Sequence, residues 1–153
     1  MNGLSQWDGI KHFHPDDKND QWGDPHKIER VLLVELDKFR SFLNTPVYVT
    51  SGYREERGSN DGASQHHYGL AADVIVPDFN GALVDLLFVA MRFNFMGVGI
   101  YRDWEWKGKK TGGLHLDMRT ADHRALWFCY KNRYGKQEYV GLTLETLKGF
   151  GVV

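Results

Sequence analysis

The stretch Ser64-Gln65-His66-His67-Tyr68-Gly69-Leu70-Ala71-Ala72-Asp73 passes from a polar loop into a strand. Gly69 lets the backbone turn sharply after His66. Ala71 and Ala72 are small enough for the strand they open to pack closely while Asp73 projects. That strand, Ala71-Ala72-Asp73-Val74-Ile75-Val76, is stopped by Pro77. His66 therefore stands at the mouth of a strand and Asp73 on it, so the two ends of the segment can face one centre. A later strand, Leu114-His115-Leu116-Asp117-Met118, supplies another histidine. Two imidazoles and a carboxylate suit catalytic zinc, with water in the fourth position. The same residues also admit a purely structural reading, with Asp73 in a turn or cap and His115 satisfied and half-buried.

Upstream, residues 1–24 are polar and irregular, an arm pinned to the body by Trp7, Phe13 and Trp22. Asp24-Pro25 is a helix start, with Asp at the N-cap and Pro at the first helical position. Ile28, Val31, Leu32, Val34, Leu36, Phe39 and Phe42 then recur near a 3.6 period, predicting an amphipathic helix to Leu43. Asn44-Thr45-Pro46 ends it. Val47-Tyr48-Val49-Thr50 reads as a short strand, and residues 55–63 as a glycine-punctuated loop.

Downstream, a second helix is predicted at about 80–93, carried by Leu83, Val84, Leu86, Leu87, Val89 and Ala90. Strands follow at 98–101 and 114–118, separated by a long polar connection that contains Trp104 and Trp106. A third helix is expected over 121–134 and a short terminal one over 141–150. This order suits an α+β fold with a small, mainly antiparallel sheet flanked by helices. At 153 residues, the chain reads as a single domain.

Composition narrows the function classes. The chain is 42% hydrophobic and 25% charged with a formal net charge of −1, which gives no electrostatic footprint for nucleic acid. No apolar run approaches the roughly 20 residues that span a membrane. The first twenty residues hold no apolar signal core, so the protein is expected to be made in the cytoplasm. Nothing calls for an obligate oligomer, and a monomer is expected. Cys129, the one cysteine, lies in an apolar run and reads as buried.

Residues 64–73 match S-x-H-x-x-G-x-A-x-D, and Ser51-Gly52-Tyr53-Arg54 precedes them. Gly97-Val98-Gly99-Ile100-Tyr101 and His115-Leu116-Asp117 follow. In this order the segments resemble those of the zinc D-Ala-D-Ala carboxypeptidase and L-alanyl-D-glutamate endopeptidase family, peptidase family M15. That family shares its fold with the hedgehog signalling domain, and the resemblance covers about residues 28–118.

The resemblance implies a hedgehog/DD-peptidase-like fold and one Zn2+ per chain, held by His66, Asp73 and His115. It implies a peptidoglycan stem peptide as substrate, with Arg54 binding a substrate carboxylate through its planar guanidinium. A structural ion pair of Arg54 with Glu55 or Glu56 is the alternative. Ser64 and Gln65 would shape the cleft or brace the ligand loop, Tyr101 would line it, and His67 would be a neighbour of the metal site.

One departure concerns the proton acceptor. Many family members place Glu or Asp three residues before the last zinc histidine, and others a histidine two before it. Gly112 and Gly113 stand there in this chain. Asp117, two residues from His115 on one strand, projects to the same side. It is read as a catalytic base or water-positioning group, or else as a carboxylate that orients a ligand histidine. Glu105 or Asp103 would reach in from the connection. The missing leader suits a phage or prophage endolysin that reaches the cell wall by phage delivery. A non-catalytic zinc-containing binding or virion structural module on the same fold is the alternative.

Overall fold

The computed structural model describes residues 5–56 and 64–149. Most of the loop expected at 55–63 lies outside the described residues, as do residues 1–4 and 150–153. Eight strands and three α-helices follow in order: α1 (Arg30–Leu43), β1 (Tyr48–Ser51), β2 (Ala71–Ile75), α2 (Leu83–Ala90), β3 (Gly97–Tyr101), β4 (Glu105–Trp106), β5 (Lys109–Lys110), β6 (Gly113–Asp117), β7 (Ala125–Lys131), β8 (Gln137–Gly141) and α3 (Leu144–Gly149). Six strands form one sheet in the order β1-β2-β6-β3-β7-β8, with every neighbouring pair antiparallel except β3 and β7. The expected α+β fold with a mainly antiparallel sheet is the observed one.

Strand alternation sorts the side chains onto two faces. Ala72, Val74, Val98, Ile100, Leu114, Leu116 and Phe128 are fully buried and share one core with Leu32, Leu33, Leu36 and Phe39 of α1 and Leu87 and Ala90 of α2. Trp7 and Leu147, from opposite ends of the described chain, join the same cluster. Asp73, His115 and Trp127 alternate onto the other face, away from the helices. Among the described residues, no helix is long and apolar enough to cross a membrane.

The first helix begins later than its sequence signals suggest. Asp24 accepts a hydrogen bond from the His26 backbone at 3.0 Å and Pro25 follows it, but they start only a 3-10 turn, Pro25–Lys27. Ile28 is extended and buried, so that Glu29 N–H reaches the Gly69 carbonyl at 2.9 Å. The helix restarts at Arg30 and ends at Asn44 in the left-handed region, φ 51. This interruption joins the helix entrance to the turn between His66 and β2.

The N-terminal arm covers the edge of the sheet, where unpaired backbone groups would otherwise invite other strands. Gln21 N–H donates to Val49 O at 2.8 Å, Gly52 N–H to Gln21 O at 2.9 Å, and Tyr53 N–H to Trp22 O at 2.8 Å. Trp7, Phe13 and Trp22 are buried and meet edge-to-face, with Trp22 centroids 4.9 and 5.6 Å from the other two. The expected anchoring of the arm by these three residues is observed.

The expected helix over 121–134 is instead β7, and β8 beside it was not expected. An apolar run as short as Ala125–Lys131 has no periodicity that separates a buried strand from a helix. Alternation decides it here: Phe128 enters the core while Trp127 faces the opposite side. The polar connection also folds locally. Lys107 (φ 49) and Gly108 (φ 78) make a two-residue left-handed turn that pairs β4 with β5. Cys129 is free and buried, as expected.

Two substitutions probe this framework. Gly69 has φ +69, and a Cβ there would collide with the Lys27 carbonyl. Gly69→Ala is expected to lose at least about 2 kcal/mol in denaturant unfolding, from combined backbone strain and clash. Asp20 accepts a 2.7 Å hydrogen bond from Val49 N–H, and burial pushes its carboxyl up to about 6. A raised carboxyl binds its proton more tightly in the folded state, so stability falls as pH rises from about 4 through 6. Asp20→Asn keeps an acceptor for Val49 and removes this loss. The variant should gain about 1 kcal/mol on wild type across that window in unfolding curves against pH.

Candidate metal centre

The register of the sheet builds the site. Asp73 on β2 pairs with His115 on β6, which pairs with Gly99 on β3, which pairs with Trp127 on β7. Asp73 and His115 thus stand side by side on the face turned away from the helices. His66 reaches them from a one-turn 3-10 helix, Gln65–Tyr68, that ends on Gly69 and leads directly into β2. One ligand atom from each residue lies within 4.8 Å of the others. Asp73 Oδ1 is 2.9 Å from His115 Nδ1 and 3.3 Å from His66 Nε2. The three residues singled out in the sequence converge.

The outer nitrogens of both rings are engaged, which fixes the inner ones as donors. His66 Nδ1 lies 2.7 Å from the Gly52 carbonyl and must carry the proton there, leaving Nε2 for a metal. His115 Nε2 lies 2.8 Å from Asp117 Oδ2, leaving Nδ1. Nitrogen and oxygen donors of this kind suit a divalent transition metal, and the open side faces a cleft. The donor set fits the group.

Electrostatics agree with that use. Burial alone would raise the Asp73 carboxyl, but hydrogen bonds from His115 and His66 hold it down to about 2. Burial would lower His115, yet the carboxylates of Asp117 and Asp73 on either side raise it above the ordinary histidine value. The ring therefore holds a second proton more readily than an ordinary histidine does, and a cation competes with that proton.

Asp117 occupies the far side of His115. It is fully buried, and Arg119 grips it with Nε on Oδ1 at 2.9 Å, Nη2 on Oδ2 at 2.7 Å and the backbone N–H on Oδ1 at 3.1 Å. With His115 on Oδ2 as well, the carboxylate accepts four hydrogen bonds and has no acceptor capacity to spare. Burial would raise its pKa, but Arg119 and His115 hold it well below the usual carboxylate range. Of the roles weighed for Asp117, orienting the ligand histidine fits this geometry, and taking a proton from water does not. Asp103 is similarly occupied. Arg102 and Lys110 bind it, Lys131 N–H donates to it at 2.6 Å, and against burial these partners hold it at about 2.

A cleft of about 640 Å3 opens over the centre. Arg54, Ser64, Gln65 and Tyr101 all line it, as do the three ligands, Trp104, Glu105, Arg119, Trp127 and Tyr139. The Arg54 side chain makes no ion pair with Glu55 or Glu56 among the described residues, so its guanidinium is free toward the cleft. Its backbone is fixed: Arg54 N–H donates to His66 O at 3.2 Å, and His67 Nδ1 lies 2.8 Å from Arg54 O. His67, a neighbour of the metal site as expected, thus fastens the arginine segment to the ligand turn. Tyr101 accepts from Trp127 Nε1 at 3.2 Å, and burial pushes its phenol well above its ordinary value, so the hydroxyl keeps its proton.

Sequence reasoning missed Arg119 and Trp127. Arg119 continues the alternation of His115 and Asp117, a signal that was available. Trp127 was hidden by the helical reading of its strand. Two glycines make room for Trp127 and for the carboxylate that Arg119 holds: a Cβ at Gly97 would strike Asp117, and one at Gly99 the Trp127 indole.

Loaded with a divalent cation and desalted, the wild-type chain is expected to retain about one ion by elemental analysis, and His115→Ala none. Asp117→Asn should bind about 10- to 100-fold more weakly through loss of ring orientation. Because the cation displaces a proton from His115, affinity in a metal titration should climb as pH is raised from about 6 to about 8.

No curated protein sequence matches the chain. Residues 12–107 match the family model described as Peptidase M15. The matched stretch carries Arg54, His66 and Asp73, and β6 brings His115 to them from beyond its end. The chain belongs to the peptidase M15 family.

Proposed function

We propose that this protein is a zinc-dependent peptidase, acting as one domain, that hydrolyses peptide bonds of peptidoglycan stem peptides. The observation that carries this reading is a His66–Asp73–His115 centre at the floor of an open cleft with a free Arg54 on its wall. A structural metal would be closed off by a fourth protein ligand, whereas a catalytic one keeps a position facing substrate. When bound, zinc supplies a water that ionises near neutral pH and a Lewis acid for the scissile carbonyl.

The chain's own residues supply the rest. Arg54 binds a substrate carboxylate through both oxygens and sets the register of the peptide. Tyr101, its oxygen held by the Trp127 N–H, keeps its phenolic proton and lines the cleft where a substrate carbonyl would lie. Asp117, clamped by Arg119, holds the His115 ring with its Nδ1 aimed inward. Ser64 and Gln65 form the rim beside His66. Release of a lytic enzyme of this kind onto the wall suits a phage or prophage endolysin.

The test is incubation of the zinc-loaded protein with purified peptidoglycan and synthetic stem peptides. Released D-Ala or a cut stem is expected, lost on chelation and restored by zinc. No product with any divalent metal overturns the reading. Arg54→Ala should lower kcat/KM by about 10- to 100-fold, the cost of one charge-assisted contact. Arg54→Lys should recover only part of it, because a point charge cannot bridge both carboxylate oxygens.

A further inference from the structure

We infer that Glu105, carried on the β4–β5 hairpin, is the proton acceptor of the reaction. This rests on the peptidase reading above and names the residue that reading leaves out. Among the described residues lining the cleft, only Asp73 and Glu105 bear carboxylates, and the only histidines are His66 and His115. Asp73 and both histidines are committed to the metal. Asp117 and Asp103 are saturated by Arg119, His115, Arg102, Lys110 and the Lys131 backbone. The Glu105 side chain makes no hydrogen bond or ion pair with any described residue, and the residue lines the cleft. It is the one described acid there with free acceptor oxygens.

The hairpin that carries it is fixed on both sides. Trp104 stacks on Tyr101 with centroids 4.1 Å apart and planes at 16°, and Trp106 stacks on Tyr48 at 4.7 Å and 13°. The Trp104 carbonyl also accepts from Thr111 and Gly112 N–H at 3.1 and 2.9 Å. The two glycines before His115 make this seating possible. A Cβ at Gly113 would stand 2.5 Å from the Trp104 ring, and Gly112 has φ +65 with Leu83 2.7 Å from where its Cβ would be. A side chain is thus excluded at 113 by the same packing that holds Trp104, and with it Glu105, over the cleft, and disfavoured at 112 by the left-handed backbone.

The step balances. A Glu105 carboxylate oxygen takes one proton from the attacking water as the water oxygen bonds to the carbonyl carbon. Glu105 passes that proton to the amide nitrogen as the C–N bond breaks, and the second water proton follows it. The products are a carboxylate and an ammonium group, with Glu105 ionised again.

Glu105→Gln and Glu105→Asp test the assignment against three readouts: turnover of a stem peptide, bound metal by elemental analysis, and calorimetric affinity for the product peptide isolated from the wild-type digest. Glu105→Gln is expected to lower kcat by about 10²- to 10⁴-fold, with metal content, KM and product affinity within about threefold of wild type. Glu105→Asp should fall between. A Glu105→Gln enzyme that turns over within about threefold of wild type overturns the inference and leaves the peptidase reading standing. Loss of metal or of product affinity alongside kcat also overturns it, because Glu105 would then be holding the site together. A wild-type chain that cleaves nothing overturns the peptidase reading itself, and the inference with it.

Discussion

Antiparallel pairing of Asp73 with His115 is the constraint on which the site depends. Side chains in register across two strands stand close together on one face of the sheet. The opposite face is packed with Val74, Leu114 and Leu116, each fully buried against the helices. A slip of one residue would exchange the two faces, turning the ligands into the apolar core and the core side chains outward. The hydrophobic effect therefore sets the ligand geometry: the core fixes the register, and the register places a carboxylate beside an imidazole. His66 needs a separate device because it lies outside the sheet. Gly69 supplies it, turning the chain in the left-handed region while its carbonyl holds Glu29 at the helix entrance.

Absent side chains shape the rest of the site. Gly97 and Gly99 lie on the site face of β3, paired with Asp117 and His115 of β6 respectively. Bare backbone there leaves space for the Asp117 carboxylate and the Trp127 indole. Gly52 has no room for a Cβ against Trp22, 2.6 Å from its carbonyl oxygen, and its own carbonyl takes the His66 proton. At each of these positions a larger residue would have to displace a neighbour that the site uses.

Much of this was legible from residue order. His66, Gly69 and Asp73 sit close in sequence, and the chemistry of two imidazoles and a carboxylate is local knowledge. The two central strands of the site also announced themselves, Asp73 among β-branched residues before Pro77 and His115 between leucines. What stayed hidden depends on neighbours distant in the chain. Ala125–Lys131 reads as an apolar run, and only parallel pairing with β3 makes it a strand. The delay of α1 past Asp24-Pro25 follows from Gly69, about forty residues away. Alternation placed Asp117 on the face of His115 but could not show that Arg119 would fill its acceptor sites. Occupancy is a tertiary property, and it separates a carboxylate that can take a proton from one that can only orient a ring.

The two ligand histidines are therefore not equivalent. His66 donates its outer proton to a neutral carbonyl, whereas His115 donates to a carboxylate that is itself neutralised by Arg119. A carboxylate behind an imidazole raises its basicity, and the guanidinium moderates that push by sharing the charge. Without Arg119, Asp117 would be a buried anion with only the His115 ring to partner it, which is unfavourable. The carboxylate would meet that cost by taking up a proton, and its hold on His115 would weaken. Arg119 thus keeps Asp117 ionised and so preserves the ring orientation on which the metal geometry depends. The chain His115–Asp117–Arg119 runs along one face of one strand and its exit, where strand alternation supplies the spacing without any further structural device.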